Sequence, residues 1–170
     1  MLKSGNISLR TLEPSDIDQL YTWENDPSLW KISQTKVPFS KELLGQYIAS
    51  AQDIYAHGQL RFVIEVDQEL AGTIDLFDYD AINSRAGVGI MIDSRFREKG
   101  VAKTALELVV NYSKEILFLE QLYCNIIENN TGSIKLFEGN GFLHTGTKEH
   151  WIRIEEGFEN VRFYQRLLSK

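Results

Sequence analysis

One stretch restricts the fold more than any other. "AGVGIMID", ending at Asp93, is a near-continuous apolar run that reads as a strand buried on both faces. A helix follows, roughly from Gly100 to Phe118, with Ala102, Ala105, Leu106, Val109, Val110 and Tyr112 or Ser113 at helical period. "LEQLYCNII" then reads as another strand. A strand–helix–strand crossover within a chain otherwise built of hairpins dictates a mixed sheet with a helix packed on it.

The surrounding segments supply the hairpins. "LRFVIEV", the polar turn "DQE" and "LAGTIDLFDYD" form one, and the turn "AINSR" leads into the crossover. Upstream, "NISLRTLEP" alternates Ile7 and Leu9 as an opening strand. A helix starts near Pro14 and Asp16 and turns Ile17, Leu20, Tyr21 and Trp23 inward. A second helix, capped by Ser40 and ended by Gly58, carries Leu43, Leu44, Tyr47, Ile48, Ala51, Ile54 and Tyr55 on one stripe. Between the two helices, "PSLWKISQTKVPF" reads as irregular. Downstream, "NNTGSIKLFEGNG" is a short helix, and "FLHTGTKEHWIRI" and "NVRFYQRLL" close the chain as strands around "EEGFE". The order is β α α β β β α β α β β. It predicts an α/β (α+β) fold with a mostly antiparallel sheet of about seven strands and about four helices. No repeat or linker interrupts it, so residues 1–170 are expected to form a single domain.

Charge and composition exclude several functions. A formal net charge of −6 argues against bulk nucleic-acid binding, which needs clustered cations. The single cysteine, Cys124, permits no intramolecular disulfide and sits in an apolar strand, as a small core hydrophobe does. No Cys/His set has zinc spacing, so no metal is expected. The N-terminus has no apolar signal core and no stretch approaches the ~20 apolar residues of a membrane span. The expectation is a cytoplasmic protein without a membrane partner.

The join of strand and helix carries the chemistry. In "RFREKGVAKTAL", Arg97 to Ala102 has the form R-x-x-G-x-A, with Glu98, Lys99, Gly100 and Val101 between. The first N–H groups of a helix have no internal partner and carry the positive end of its dipole. A glycine and a small residue let a pyrophosphate approach them, and basic side chains can add contacts at the rim. The stretch is neither a Walker loop nor a dinucleotide G-x-G-x-x-G.

In these residues the chain resembles the GNAT acetyltransferase superfamily, whose acetyl-CoA loop is [RQ]-x-x-G-x-[GA] at a strand-to-helix turn. The resemblance covers nearly the whole chain. "ISLRTLEPSDIDQLYTWENDP" is similar to the family's opening strand, helix and N-D-P turn. "LAGTIDLFDYDAINSRAGVGIMIDSRFREKGVAKTAL" is similar to its central hairpin and cofactor loop, and "LYCNIIENNTGSIKLFEGNGFLHTGT" to its next strand, N-x-x-S helix and G-F turn. The nearest branch holds ribosomal-protein N-terminal acetyltransferases and spermidine acetyltransferases.

The resemblance implies an acetyl-CoA-dependent N-acetyltransferase in which a primary amine attacks the thioester directly in a ternary complex. It implies a sheet splayed at the cofactor site, with the pantetheine arm held by Met91, Ile92, Asp93 and Ser94. It puts the pyrophosphate on Arg97 to Ala102 and gives Asn130, Ser133 and Phe137 contacts with the cofactor. Backbone donors at the thioester oxygen would stabilise the developing oxyanion. Two departures stand out: Phe137 lies where many relatives have a proton-donating Tyr, and Asn125 where some have a Glu base. Neither can move a proton usefully. Ser133 and Asp75 are the substitutes, and Asp78 and Glu149 rank behind them. The departures also motivate an alternative, a non-catalytic acyl-CoA-binding or regulatory domain.

The acceptor stays open between a protein N-terminus and a small amine such as spermidine or another polyamine. Trp30, Thr35, Phe39 and His150 are expected to line its site, while His57 and His144 read as structural. Lysines rather than carboxylates in "WKISQTKVPF" tilt the choice slightly away from a polyamine. A homodimer is left open by analogy alone.

Overall fold

A computed structural model describes residues 2–33, 35–50 and 53–168. The strands are β1 (Leu2–Ser4), β2 (Ile7–Thr11), β3 (Leu60–Val66), β4 (Glu69–Asp80), β5 (Arg85–Ile92), β6 (Gln121–Ile127), β7 (Leu143–Ile154) and β8 (Gly157–Leu167). The helices are α1 (Ile17–Glu24), α2 (Pro27–Ser33), α3 (Lys41–Ser50), α4 (Ile54–His57), α5 (Val101–Glu115) and α6 (Thr131–Gly139). One eight-stranded sheet runs β1-β2-β3-β4-β5-β6-β8-β7. Every neighbouring pair is antiparallel except β5 and β6, which α5 connects.

The counts exceed the sequence expectation for definable reasons. β1 is a three-residue strand that folds back on β2, too short to carry a periodic signal. "PSLWKIS" is helical as α2 rather than irregular, with its proline at the first helical position, where a missing N–H costs nothing. The long helix expected from Lys41 to His57 is two helices. Asp53 caps the second by accepting from the N–H groups of Tyr55 and Ala56, and Gly58 closes it at φ 66°. Ala51, expected on that stripe, lies outside the described residues.

Two apolar layers flank the sheet. On one face, α5 buries Val101, Ala105, Leu106, Val109 and Val110 against Leu9, Ile64, Ile74, Leu76, Ala86 and Val88. On the other, α1 and α3 bury Leu20, Leu44 and Ile48 over Leu12 and Val63. This second layer covers the β3 side of the sheet. The same face of β5, β6 and β8 carries Gly87, Tyr123, Asn125, Phe163 and Gln165 and opens into a cleft. Among the described residues no helix is long and apolar enough to cross a membrane.

Candidate functional site

β5 and β6 separate almost as soon as they meet. Only Arg85, Ala86 and Gly87 pair with β6, against Gln121, Leu122 and Tyr123, while β4 stays registered with β5 through Ile92. Beyond Gly87, one edge of β5 therefore has no strand partner. The hydrogen bond from Asp93 N to Ala71 O (2.8 Å) fixes the phase of the β4–β5 ladder. By alternation, Gly89 and Met91 turn their main-chain groups toward β4, and Ile90 and Ile92 turn theirs into the splay. The sequence reading named Met91 and missed Ile90. The phase of a ladder is invisible before strands are paired.

The splay leads to the N-terminus of α5. Gly100 precedes it at φ 77°, a left-handed conformation suited to glycine, and no side chain caps the helix. The first helical bond runs from Thr104 N to Gly100 O, so the N–H groups of Val101, Ala102 and Lys103 have no helical partner. A Cβ on Gly100 would meet nothing within 4 Å, so the space above these donors is open. The fifteen-residue helix directs its positive end there. An anionic phosphate group fits this cradle.

The loop is braced from within. Asp93 accepts from the N–H and guanidinium of Arg95 and from the Trp23 indole at 3.0 Å. Its pKa falls to about 2, chiefly through Arg95, with Trp23 adding to this against the opposing effect of burial. Arg97 Nε donates to Ile92 O at 3.0 Å, and Lys99 Nζ to Arg95 O at 2.8 Å. Ser94 and Glu98 are exposed, and Glu98 turns the chain at φ 60°.

Across the splay, Asn130 caps α6 by accepting from Ser133 N at 3.1 Å, and the half-buried Ser133 hydroxyl makes no hydrogen bond among the described residues. Phe137 requires correction as a cofactor contact. It is 3% exposed and packs edge-on to Phe142, with ring centroids 5.0 Å apart, in the core under α5. Burial also pushes the Cys124 thiol pKa well up, which leaves it inert near neutrality.

Asp75 is not a free base. Its two carboxylate oxygens take the guanidinium of Arg61, Nη2 at 3.0 Å, and Arg61 also binds Glu24. Burial opposes the charge on Arg61, but the two carboxylates more than offset it and raise its pKa. Arg61 lies 4.9 Å from the centroid of the Tyr47 ring, whose hydroxyl accepts from Gln59. This buried network joins α1 and α3 to the sheet. Trp30 donates its indole N–H to Glu24 O, and Asn25 clasps the main chain of Phe39 in both directions, so both tie the α1–α3 connection to α1. Thr35 bonds Ser33. The exposed His150 stacks on Phe158 at a bulge in β7.

The open cleft lies elsewhere. A cavity of about 480 Å³ is lined by Asp78, Asp80, Arg85, Gln121, Tyr123, Asn125, Lys148, Phe163 and Gln165. It sits over the last β5–β6 pair, so it adjoins the closed end of the splay. Gly87 leaves room there for Phe77, whose ring atoms would lie 2.3 Å from an added Cβ. Lys148 reaches in from β7, donates to Asn125 Oδ1 at 2.8 Å and stands 5.0 Å over Trp151. None of Trp30, Thr35, Phe39 and His150 lines this cavity. Most of its residues were missed because they come from five strands with no local motif.

Known proteins share this arrangement. The chain is 27% identical over 163 residues to the spermidine N(1)-acetyltransferase of Escherichia coli K12, covering 95% of this chain and 86% of the relative. It superposes on the spermidine N-acetyltransferase of Vibrio cholerae in complex with CoA and spermine with a TM-score of 0.89, at 25% identity and 97% coverage of both chains. A dodecameric structure of the Vibrio cholerae enzyme gives 0.82 at 25% identity, covering 97% of this chain and 95% of that one. Residues 6–143 match the acetyltransferase (GNAT) domain, and the chain belongs to that family of acetyl-CoA-dependent acetyltransferases.

Proposed function

We propose that this chain, acting as one catalytic domain, transfers the acetyl group of acetyl-CoA to a primary amine of a polyamine. The observation that carries the reading is the three-pair contact of β5 with β6, which opens into a splay leading to the uncapped N-terminus of α5. Acetyl-CoA supplies an activated thioester when bound. The N–H groups of Val101, Ala102 and Lys103 hold the pyrophosphate, with Arg97 and Lys99 at the rim. The open main-chain groups of Ile90 and the open N–H of Ile92 hold the pantetheine arm as a strand would. Asn130 and Ser133 border the arm from α6.

The amine enters the 480 Å³ cavity, where Asp78 faces its reacting nitrogen. Likeness to spermidine acetyltransferases over almost the full chain supports a polyamine rather than a protein N-terminus. The lysines of residues 30–39 pointed the other way, but Lys36 does not line the cavity. The dodecameric relative supports self-association, and a cytoplasmic location suits a polyamine acceptor.

A thiol-release assay with acetyl-CoA and spermidine, spermine and N-terminal peptides tests the reading. Release with the polyamines is expected. Tight CoA binding with no release from any amine would instead identify a binding module, the role that Phe137 and Asn125 permit.

A further inference from the structure

The reaction must move a proton from the amine nitrogen, and the obvious groups cannot take it. Phe137 is buried and has no hydroxyl, Asn125 is an amide held by Lys148, and Asp75 is held by Arg61. One carboxylate is nevertheless carried to the closed end of the splay. β4 has an extra residue there: Asp78 and Tyr79 stand opposite Ala86 alone, between the pairs Phe77↔Gly87 and Asp80↔Arg85. A bulge of this kind re-aims a side chain. Asp78 occupies φ 49°, a conformation that costs a non-glycine residue about 1 kcal/mol or more and tends to gather at functional sites.

Its surroundings hold it in a working position. Asp78 Oδ2 accepts from the Tyr123 hydroxyl at 3.2 Å, and Oδ1 accepts nothing among the described residues. Tyr123 belongs to the last β5–β6 pair and is fixed edge-on to Phe77, with Phe163 5.5 Å away on its other side. Asp80, the other carboxylate of the cavity, is engaged by Arg85 at 3.1 Å and by Asn83.

We propose that Asp78 is the proton acceptor of the acetyl transfer and that Tyr123 is the positioning residue that aims it. The assignment rests on the acetyltransferase reading and adds the base that reading lacks. The lone pair of the amine nitrogen forms the new C–N bond, and the C–S bond breaks with its electron pair on sulfur. The proton shed by nitrogen passes to Asp78 and then, through water, to the thiolate, so Asp78 ends as it began. Tyr123 remains a donor throughout, because burial and then Asp78 push its pKa up to about 12. The other charged groups facing the pair are Asp80 on β4, Arg85 on β5 and Lys148 on β7, while β8 presents the uncharged Phe163 and Gln165.

Asp78→Asn tests the base without disturbing the bulge, since Asn tolerates positive φ and still accepts from Tyr123. Turnover with the best polyamine should fall about 100-fold, with the amine KM within about threefold and CoA affinity and melting temperature unchanged. Tyr123→Phe keeps the ring packing and should lower kcat about tenfold at constant KM. The double variant should be no slower than Asp78→Asn alone, because Tyr123 acts only through Asp78. A raised KM at unchanged kcat in Asp78→Asn would reduce Asp78 to an ammonium anchor and overturn the proposal, as would additive losses in the double variant. If the wild-type chain releases no thiol with any amine, the acetyltransferase reading itself fails, before any variant is compared.

Discussion

The two sides of the splay are built from different material. The side toward α5 is main chain: the N–H groups after Gly100 that have no helical partner and the open edge at Ile90 and the Ile92 N–H, braced by the local bonds Asp93–Arg95, Arg97–Ile92 and Lys99–Arg95. The acceptor side is side chain: Asp78, Tyr123, Asn125, Lys148 and Phe163 converge from β4, β6, β7 and β8. Backbone donors survive almost any exchange of side chains, whereas a cleft assembled from distant side chains changes with each one. Relatives about 25% identical can therefore share a donor and differ in how they grip an acceptor.

The largest expected effect comes from the ion network that joins α1 and α3 to the sheet, outside both sides of the splay. Arg61→Met leaves the half-buried Glu24 and Asp75 side by side without their cation, and losing one partner of a largely buried ion network costs up to about 3 kcal/mol. For a chain of this size that is a fall in melting temperature on the order of 10 °C. CoA should still bind the folded fraction with ordinary affinity, because among the described residues the hydrogen bonds of Arg61 go to Glu24 and Asp75 and not to the cradle. A CoA affinity that collapses with Arg61 at temperatures where the fold is intact would erase the distinction between the two sides.

On the donor side, Gly100→Glu puts both a left-handed strain and a negative charge in the open space over the cradle. CoA affinity should drop about 100-fold, since an anion there opposes the dipole and donors that would hold a phosphate. Gly100→Ala has room for its Cβ and shares the strain, so the gap between the two variants isolates the charge. Equal CoA affinity in Gly100→Glu and wild type, measured by calorimetry, would remove the pyrophosphate from this helix.

What could be read in the sequence follows the same division. The crossover, the α5 stripe, the glycine entrance and the Asn130 cap are encoded within a few residues of one another, and each stands where the spacing puts it. The extended Asp53 escaped because the apolar stripe runs across it. The bulge at Asp78 has no residue signature in "LFDYD", since it exists only relative to β5. Asp75 looked available because Arg61, its partner, is known only once β3 and β4 are in register. Trp30 and Phe39 belong to the α1–α3 connection, where they bond Glu24 and Asn25.

Lys148 offers the finest test of the acceptor side. Of the four charges around the cavity, Asp80 and Arg85 pair with each other, leaving Asp78 and Lys148 to face an incoming amine. The Lys148 ammonium is fixed by Asn125 Oδ1 and lies over Trp151 and Phe163, so it cannot simply swing away. Two like charges 4 Å apart repel by about 1 kcal/mol in bulk water and about 4 kcal/mol at an effective dielectric near 20. The ammonium groups of a spermidine in the cavity feel some part of that from Lys148. Lys148→Glu turns repulsion into attraction and should lower the spermidine KM about tenfold, with Lys148→Ala in between. The gain should shrink as salt is added, because the cleft is open to solvent. A monoamine, with no second ammonium group to place near Lys148, should respond less. If spermidine KM is indifferent to all three side chains, the amine does not sit beside Lys148, and this cavity is not the acceptor site.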